Sequence, residues 1–215
     1  AQFIQKRVDQ KSLMSPREMQ SLSLLEPLRL VFSHGKLREL AVSSFAFSGM
    51  QMSLGSYLVV MLTEQAQLTV SLAGSALSIA MMAGAIARLF WGVLVDYGFS
   101  PRSVLGFLGI LMGISAAAMC LVHPTFPIML IYAFSFFFGA SAVGWNGVYI
   151  AEVARIAPLG RAGAATGASL AMTYSGVVLL PTLFWLIHLV TESYVWGFLF
   201  LGVFTVWRGL LFFNK

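Results

Sequence analysis

The sequence predicts an all-α polytopic membrane protein, a bundle of six transmembrane helices. Three observations predict it. Of 215 residues, 59% are hydrophobic and only 10% charged, where a soluble domain carries about 25% charged residues. The apolar residues form six continuous runs of about 20–26 residues, enough to cross a core of about 30 Å at 1.5 Å per residue. A β-barrel would instead alternate in segments of about ten. Finally, the basic residues fall on every second connection, as the positive-inside rule requires.

Residues 1–38 are polar and mixed in charge, with no signal peptide. They read as a cytoplasmic linker between domains. The sequence opens on Ala1 where an initiating methionine would stand, so it reads as a piece of a longer protein. Ser15-Pro16-Arg17-Glu18 has the pattern of a capping box with proline at the first helical position. A short amphipathic helix to about Glu26 follows from it, with Leu22, Leu24, Leu25 and Leu28 on the membrane surface. A linker with a single helical turn is equally compatible with these residues.

The second expected domain, residues 39–215, holds the spans, at 40–62, 70–95, 103–122, 128–151, 163–187 and 194–213. Their connections are short (TEQAQLT, DYGFSPR, HPTFP, EVARIAPLGRA, HLVTES), so consecutive helices should be antiparallel neighbours. Seven of the thirteen Lys and Arg precede residue 39; Arg88 and Arg102 flank the second connection, Arg155 and Arg161 the fourth, and Arg208 and Lys215 the end. The first, third and fifth connections carry none. Both termini are therefore expected in the cytoplasm of a multi-pass protein, in a bacterial inner membrane.

The net charge of +5 does not imply nucleic acid, because the basic residues flank spans and form no patch with interleaved aromatics. One cysteine, Cys120, permits no disulfide within the chain and no cysteine metal site. Nothing in the sequence asks for a cofactor, and the expected partners are the lipid bilayer and a small solute.

Function is concentrated in residues 83–102, AGAIARLFWGVLVDYGFSPR. Arg88, Gly92 and Asp96 are spaced four and four, on one helical face. An arginine inside an apolar span is costly and should face protein or a water-filled cavity. No Asp or Glu lies in the middle of a span to neutralise it. Its partner is then a ligand, backbone carbonyls, or a group outside this chain. Gln51, Tyr57, Trp145, Asn146, Tyr149, Thr173, Tyr174 and Ser175 are further polar groups within spans. They either line a pathway or serve packing: interhelical hydrogen bonds for Gln51 and Asn146, interfacial anchoring for Tyr149. Glycines on the third, fourth and fifth spans permit close helix contact, and Pro181 should kink the fifth. His34, His123 and His188 fall at or outside span ends, and Glu64 and Glu192 mark the outer side.

The stretch GVLVDYGFSPR, with Gly92, Asp96, Gly98 and Arg102, resembles the glycine–aspartate–glycine–arginine signature of the major facilitator superfamily. It lies between the second and third spans, as in that family; Tyr97 and Phe99 stand where basic residues are common. Glu152, Arg155, Pro158, Gly160, Arg161 and Gly163 resemble the family's loop between its tenth and eleventh helices. The resemblance implies helices 7–12 of a twelve-helix secondary transporter, working by alternating access, with an N-terminal six-helix half absent from this chain. It implies an inner gate of Gly92, Asp96, Gly98, Arg102, Glu152, Arg155 and Arg161, in which Asp96 approaches the amides around Gly160–Gly163. Arg88, eight residues before the aspartate, resembles the carboxylate-pairing arginine of monocarboxylate and related organic-anion carriers. That implies an anionic substrate at Arg88, with Gln51, Tyr57, Trp145, Asn146 and Tyr174 around it, and protons as a candidate coupling ion.

An enzyme is not indicated: an intramembrane protease needs glycine–x–serine–glycine, and Thr173 stands at its first position before Ser175-Gly176. The membrane subunit of an ATP-driven importer needs a glutamate–alanine–alanine run and a leucine–proline about nineteen residues on. Glu152 is followed by valine, and Leu180-Pro181 lies too far away. A non-transporting helper or sensor built on the same half-fold is the alternative from another class.

Overall fold

The computed structural model describes residues 25–213. The expected capping box at residues 15–18, with Leu22 and Leu24, lies outside them. The described chain is eight α-helices: α1 (Leu25–Ser33), α2 (Gly35–Gln65), α3 (Val70–Asp96), α4 (Pro101–Met119), α5 (Ile128–Ala142), α6 (Asn146–Ile156), α7 (Ala162–Thr191) and α8 (Tyr194–Leu211). Six units are long and apolar enough to cross a membrane: α2, α3, α4, α5 with α6, α7 and α8. Two boundaries differ from the sequence expectation. α2 begins at Gly35, so its first turn takes in residues assigned above to the linker. The fourth span, expected to be continuous, breaks at residues 143–145.

Local chemistry accounts for the other ends. The Thr69 hydroxyl caps α3 by accepting from the Leu72 amide at 3.4 Å. At the far end Phe99 N–H donates to Leu94 O at 3.3 Å while Gly98 takes φ +101°, a left-handed conformation open to glycine at no steric cost. Pro101 then opens α4 at a position where its missing N–H costs nothing. The signature glycine and proline thus make the tight turn between the second and third spans.

Helices meet where side chains are smallest, the expected mode of packing when lipid offers no hydrophobic drive between helices. Gly109 on α4 lies against Thr205 O and the Cα of Gly209 on α8. Gly139 on α5 lies against the backbone of Ala80 on α3, and Gly176 on α7 against Phe45 O on α2. The core between these pairs holds Phe47, Met50, Leu54, Trp145, Phe138, Phe184 and Phe198, all buried. α1 packs on α7, burying Leu30 and Val31, and Glu26 pairs with Arg161 at 3.0 Å. α1 begins at Leu25, where the amphipathic helix expected to about Glu26 would end, so most of that helix lies outside the described residues.

Candidate functional site at the break in the fourth span

α5 ends and α6 begins across Val143-Gly144-Trp145. Gly144 sits so close to the Trp91 ring that a Cβ would stand 2.9 Å from it. A break at membrane depth strands carbonyl oxygens that water cannot reach, and each must be satisfied by protein. Three side chains do so. Trp91 Nε1–H donates to Ala140 O at 3.0 Å. Arg88 Nη2–H and Asn146 Nδ2–H both donate to Val143 O, at 3.3 and 3.5 Å.

Gln51, from the middle of α2, closes the network. Its Oε1 accepts from Trp145 Nε1–H at 3.2 Å and from Asn146 Nδ2–H at 3.1 Å. Trp145 is fully buried and stands edge-on to Phe47, with ring centroids 5.7 Å apart. An indole N–H can only donate, so it fixes the carbonyl end of Gln51 toward itself. Asn146 must then turn its NH2 to that oxygen and to Val143 O. The cluster joins α2, α3, α5 and α6.

Arg88 supplies the charge. It lies eight residues from the end of α3, about 12 Å along the helix axis from Asp96. Its Cγ runs past Gly147, within van der Waals reach of a Cβ built there. Among the described residues no carboxylate pairs with it, and its hydrogen bond is to Val143 O alone. Its side chain is exposed on the open flank of α3. The arrangement is a guanidinium fork held over a broken helix, with two amides beside it.

The sequence profile of the Major Facilitator Superfamily matches residues 4–181. The chain belongs to the major facilitator superfamily. No curated protein matches it significantly. Among solved structures it is similar to a variant of the E. coli fucose:proton symporter FucP, with a TM-score of 0.71 at 15% identity. The match covers 88% of this chain and 45% of the symporter, so the chain spans less than half the length of that relative. At this identity the likeness shows the fold: an all-α, multi-pass membrane domain of the superfamily.

Within this superfamily domain, the structure gathers Arg88, Gln51, Trp145 and Asn146 and leaves other expected site residues elsewhere. Tyr57 turns inward: its hydroxyl donates to Pro181 O at 3.0 Å and its ring stacks on Phe184 at 4.4 Å. Tyr174 is 65% exposed on α7, a helix that contributes no side chain to the cluster. Gly92 meets no neighbouring helix, since nothing lies within 4 Å of a Cβ built there. Asp96 is exposed and makes no hydrogen bond to the amides around Gly160–Gly163. The reason is topological: α3 packs on α5 and α7 packs on α2, so the two loops do not converge within this bundle.

The remaining signature residues form separate ties. Arg102 binds the Glu39 carboxylate and lies over the Phe212 ring at 5.5 Å. Arg208 donates to Glu39 O at 2.9 Å and to Ser43 Oγ at 3.2 Å, completing a junction of α2, α4 and α8. Glu152 is buried and takes a bidentate pair from Arg155 at 2.6 and 2.7 Å. Three contributors escape sequence reasoning. Trp91 reads as one more apolar residue, and the Val143 carbonyl has no sequence signal beyond Gly144. Ser44 and Ser48 join Thr173, itself noted in the sequence, in a hydroxyl cluster between α2 and α7, with Thr173 Oγ1–H donating to Ser44 Oγ at 2.9 Å and Ser48 Oγ–H to Thr173 O at 2.7 Å. For these, the polar residues at positions 44, 48 and 51 on one face of α2 were the available signal.

Proposed function

We propose that the chain is the C-terminal six-helix half of a secondary transporter that moves a small organic anion across the membrane by alternating access, with Arg88 binding the substrate carboxylate. One observation carries this reading: Arg88 is a cation within a span, without a carboxylate partner among the described residues, open on the flank where no helix of this bundle covers it. Its cost in the membrane calls for a compensating anion, and a guanidinium binds a carboxylate through two parallel donors. Gln51, Trp145 and Asn146 hold the break against which that arginine rests. Tyr57 is held inside the bundle by Pro181 O, and Tyr174 stands exposed on α7.

The missing N-terminal half would cover the open faces of α3 and α7, the least enclosed spans. Asp96, Gly92, Gly98 and Arg155 would then meet their gate partners across that interface. Residues 1–38 would link the halves on the cytoplasmic side of a bacterial inner membrane, consistent with basic residues kept to one side. The fucose:proton symporter shares the fold, and proton coupling is part of this proposal, with the proton carrier on the other half. Uptake of labelled short-chain carboxylates into proteoliposomes holding the full-length protein tests the reading. Arg88→Ala should reduce uptake at least tenfold and Arg88→Lys should restore only part of it. Carboxylate uptake unchanged in Arg88→Ala would refute the anion contact. Absence of any solute flux, with tight binding retained, would favour the helper or sensor alternative.

A further inference from the structure

We infer that the cleft between α3 and α4 holds one acyl chain of a bilayer phospholipid as a resident ligand. The inference goes beyond the transport reading and borrows from it only which side of α3 faces the other half. α3 and α4 run antiparallel from a tight turn, yet they barely touch; each packs on α5 instead. The wedge left between them has a volume of about 420 Å³, within the range of about 300–1,000 Å³ in which small-molecule sites fall. Ala87 and Ala140, small and buried, form its floor. Phe90, Phe107, Phe136 and Phe137 stand around them, each about half exposed. The Trp91 ring meets the Phe90 and Phe107 rings at centroid distances of 4.9 and 5.9 Å. All these side chains are apolar but for Trp91 Nε1, whose hydrogen already goes to Ala140 O.

Depth, direction and packing point to a lipid tail as the occupant. The three helices around the cleft belong to spans, so it lies where polar groups are costly and hydrocarbon is at hand. Along α3 it runs from Ala83 to Trp91, about 12 Å of helix, and stops five residues short of Asp96. That extent fits within one leaflet, the one on the side of the α3–α4 turn, whose hydrocarbon is about 15 Å deep as half of a core of about 30 Å. The cleft also faces away from the other half. Gly92 lies two and a half turns beyond Ala83, hence on the opposite side of α3, and the transport reading gives the side of Arg88, Gly92 and Asp96 to the missing helices. An empty wedge would leave these rings without contacts on one side, and between apolar groups in lipid it is packing that decides association. A chain in the wedge touches three helices, where a chain on the open surface touches one or two. Seated there, it packs on the Trp91 ring and braces the indole that satisfies Ala140 O beside the break.

The test uses full-length protein in phosphatidylethanolamine liposomes doped with a phosphatidylcholine that carries a diazirine midway along one acyl chain. After irradiation, adducts are mapped by peptide mass spectrometry. Phe90 and Phe107 in the cleft should carry at least about threefold more adduct than Val203, which is exposed on α8, since a few added dispersion contacts suffice for that enrichment. Ala87→Leu and Leu111→Trp fill the wedge from α3 and from α4. Each should lower cleft labelling at least about threefold while leaving Val203 as in wild type, because a close-packed site has no room for both side chain and ligand. Either variant serves if the other does not fold. Cleft labelling equal to that at Val203 would mean passing lipid only, and labelling below it would place protein over the cleft; both overturn the inference, as does cleft labelling that neither variant lowers. Anion uptake enters none of these measurements, so this inference and the carboxylate reading fail separately.

Discussion

Gly139→Ala should loosen both the bundle and the site. A Cβ at residue 139 would stand 2.5 Å from the Ala80 Cα on α3, with the Ala80 carbonyl oxygen closer still. Carbon–carbon contacts are favourable at about 3.5–4.0 Å, so α3 and α5 must part by about 1 Å or more. The obstacle is backbone, which cannot swing aside as a side chain can. Overpacking of this kind costs about 1–3 kcal/mol. The same displacement stretches Trp91 Nε1–Ala140 O from 3.0 Å and Arg88 Nη2–Val143 O from 3.3 Å, past useful hydrogen-bonding distance. Each lost bond adds about 0.5–1.5 kcal/mol. The combined cost is about 2–6 kcal/mol, or about 4–24 °C of melting temperature for a domain of this size. Thermal unfolding in mild detergent, read by size-exclusion chromatography, measures it. Gly74→Ala on α3 is the control, because nothing lies within 4 Å of its Cβ; alanine there should leave stability unchanged or raise it by up to about 1 kcal/mol. Equal melting temperatures for the two variants would refute the packing argument, and with it the dependence of the break on helix separation.

Three further outcomes follow from particular contacts. Tyr57→Phe removes the donor to Pro181 O while keeping the stacked ring, and should cost about 0.5–1.5 kcal/mol in the same melting assay without altering anion binding. A double-mutant cycle of Glu39→Gln and Arg102→Gln should give a coupling of about 1 kcal/mol that weakens with added salt, because the pair is only partly buried; zero coupling would make the contact incidental. In a Cys120→Ser background, Leu159→Cys and Gln67→Cys, both exposed in connections on opposite sides of the bundle, should react with an impermeant maleimide from opposite sides of the membrane, Leu159→Cys from the cytoplasmic side. Labelling of both from one side would overturn the topology.

The spans were legible because lipid imposes one rule on every residue: apolar runs of sufficient length must cross it. Arg88, Gln51 and Asn146 stood out for the converse reason, since a polar group in such a run needs a partner. The break between α5 and α6 was not legible. Val143-Gly144-Trp145 is apolar, lacks proline, and departs from helix only because Trp91, Arg88 and Asn146 lie ready to take the stranded carbonyls. That condition belongs to three helices at once and cannot be read along one. Tyr57 and Tyr174 show the same limit in side-chain direction. Both are tyrosines within spans, yet one turns in toward Phe184 and the other points outward, according to which neighbour the bundle provides. The signature aspartate was placed by analogy with a neighbour that this six-helix unit does not bring to it.

Arg88 is also a strut. Through Val143 O it ties α3 to the joint between two half-helices, and its stem rests on the first turn of the lower one. Any solute that claims the guanidinium competes with that carbonyl, leaving the joint to the Trp91 indole and the Asn146 amide. Occupancy would then free α6 to pivot beneath α5, turning the chemistry of capture into a change of shape at the point where the fourth span is already divided.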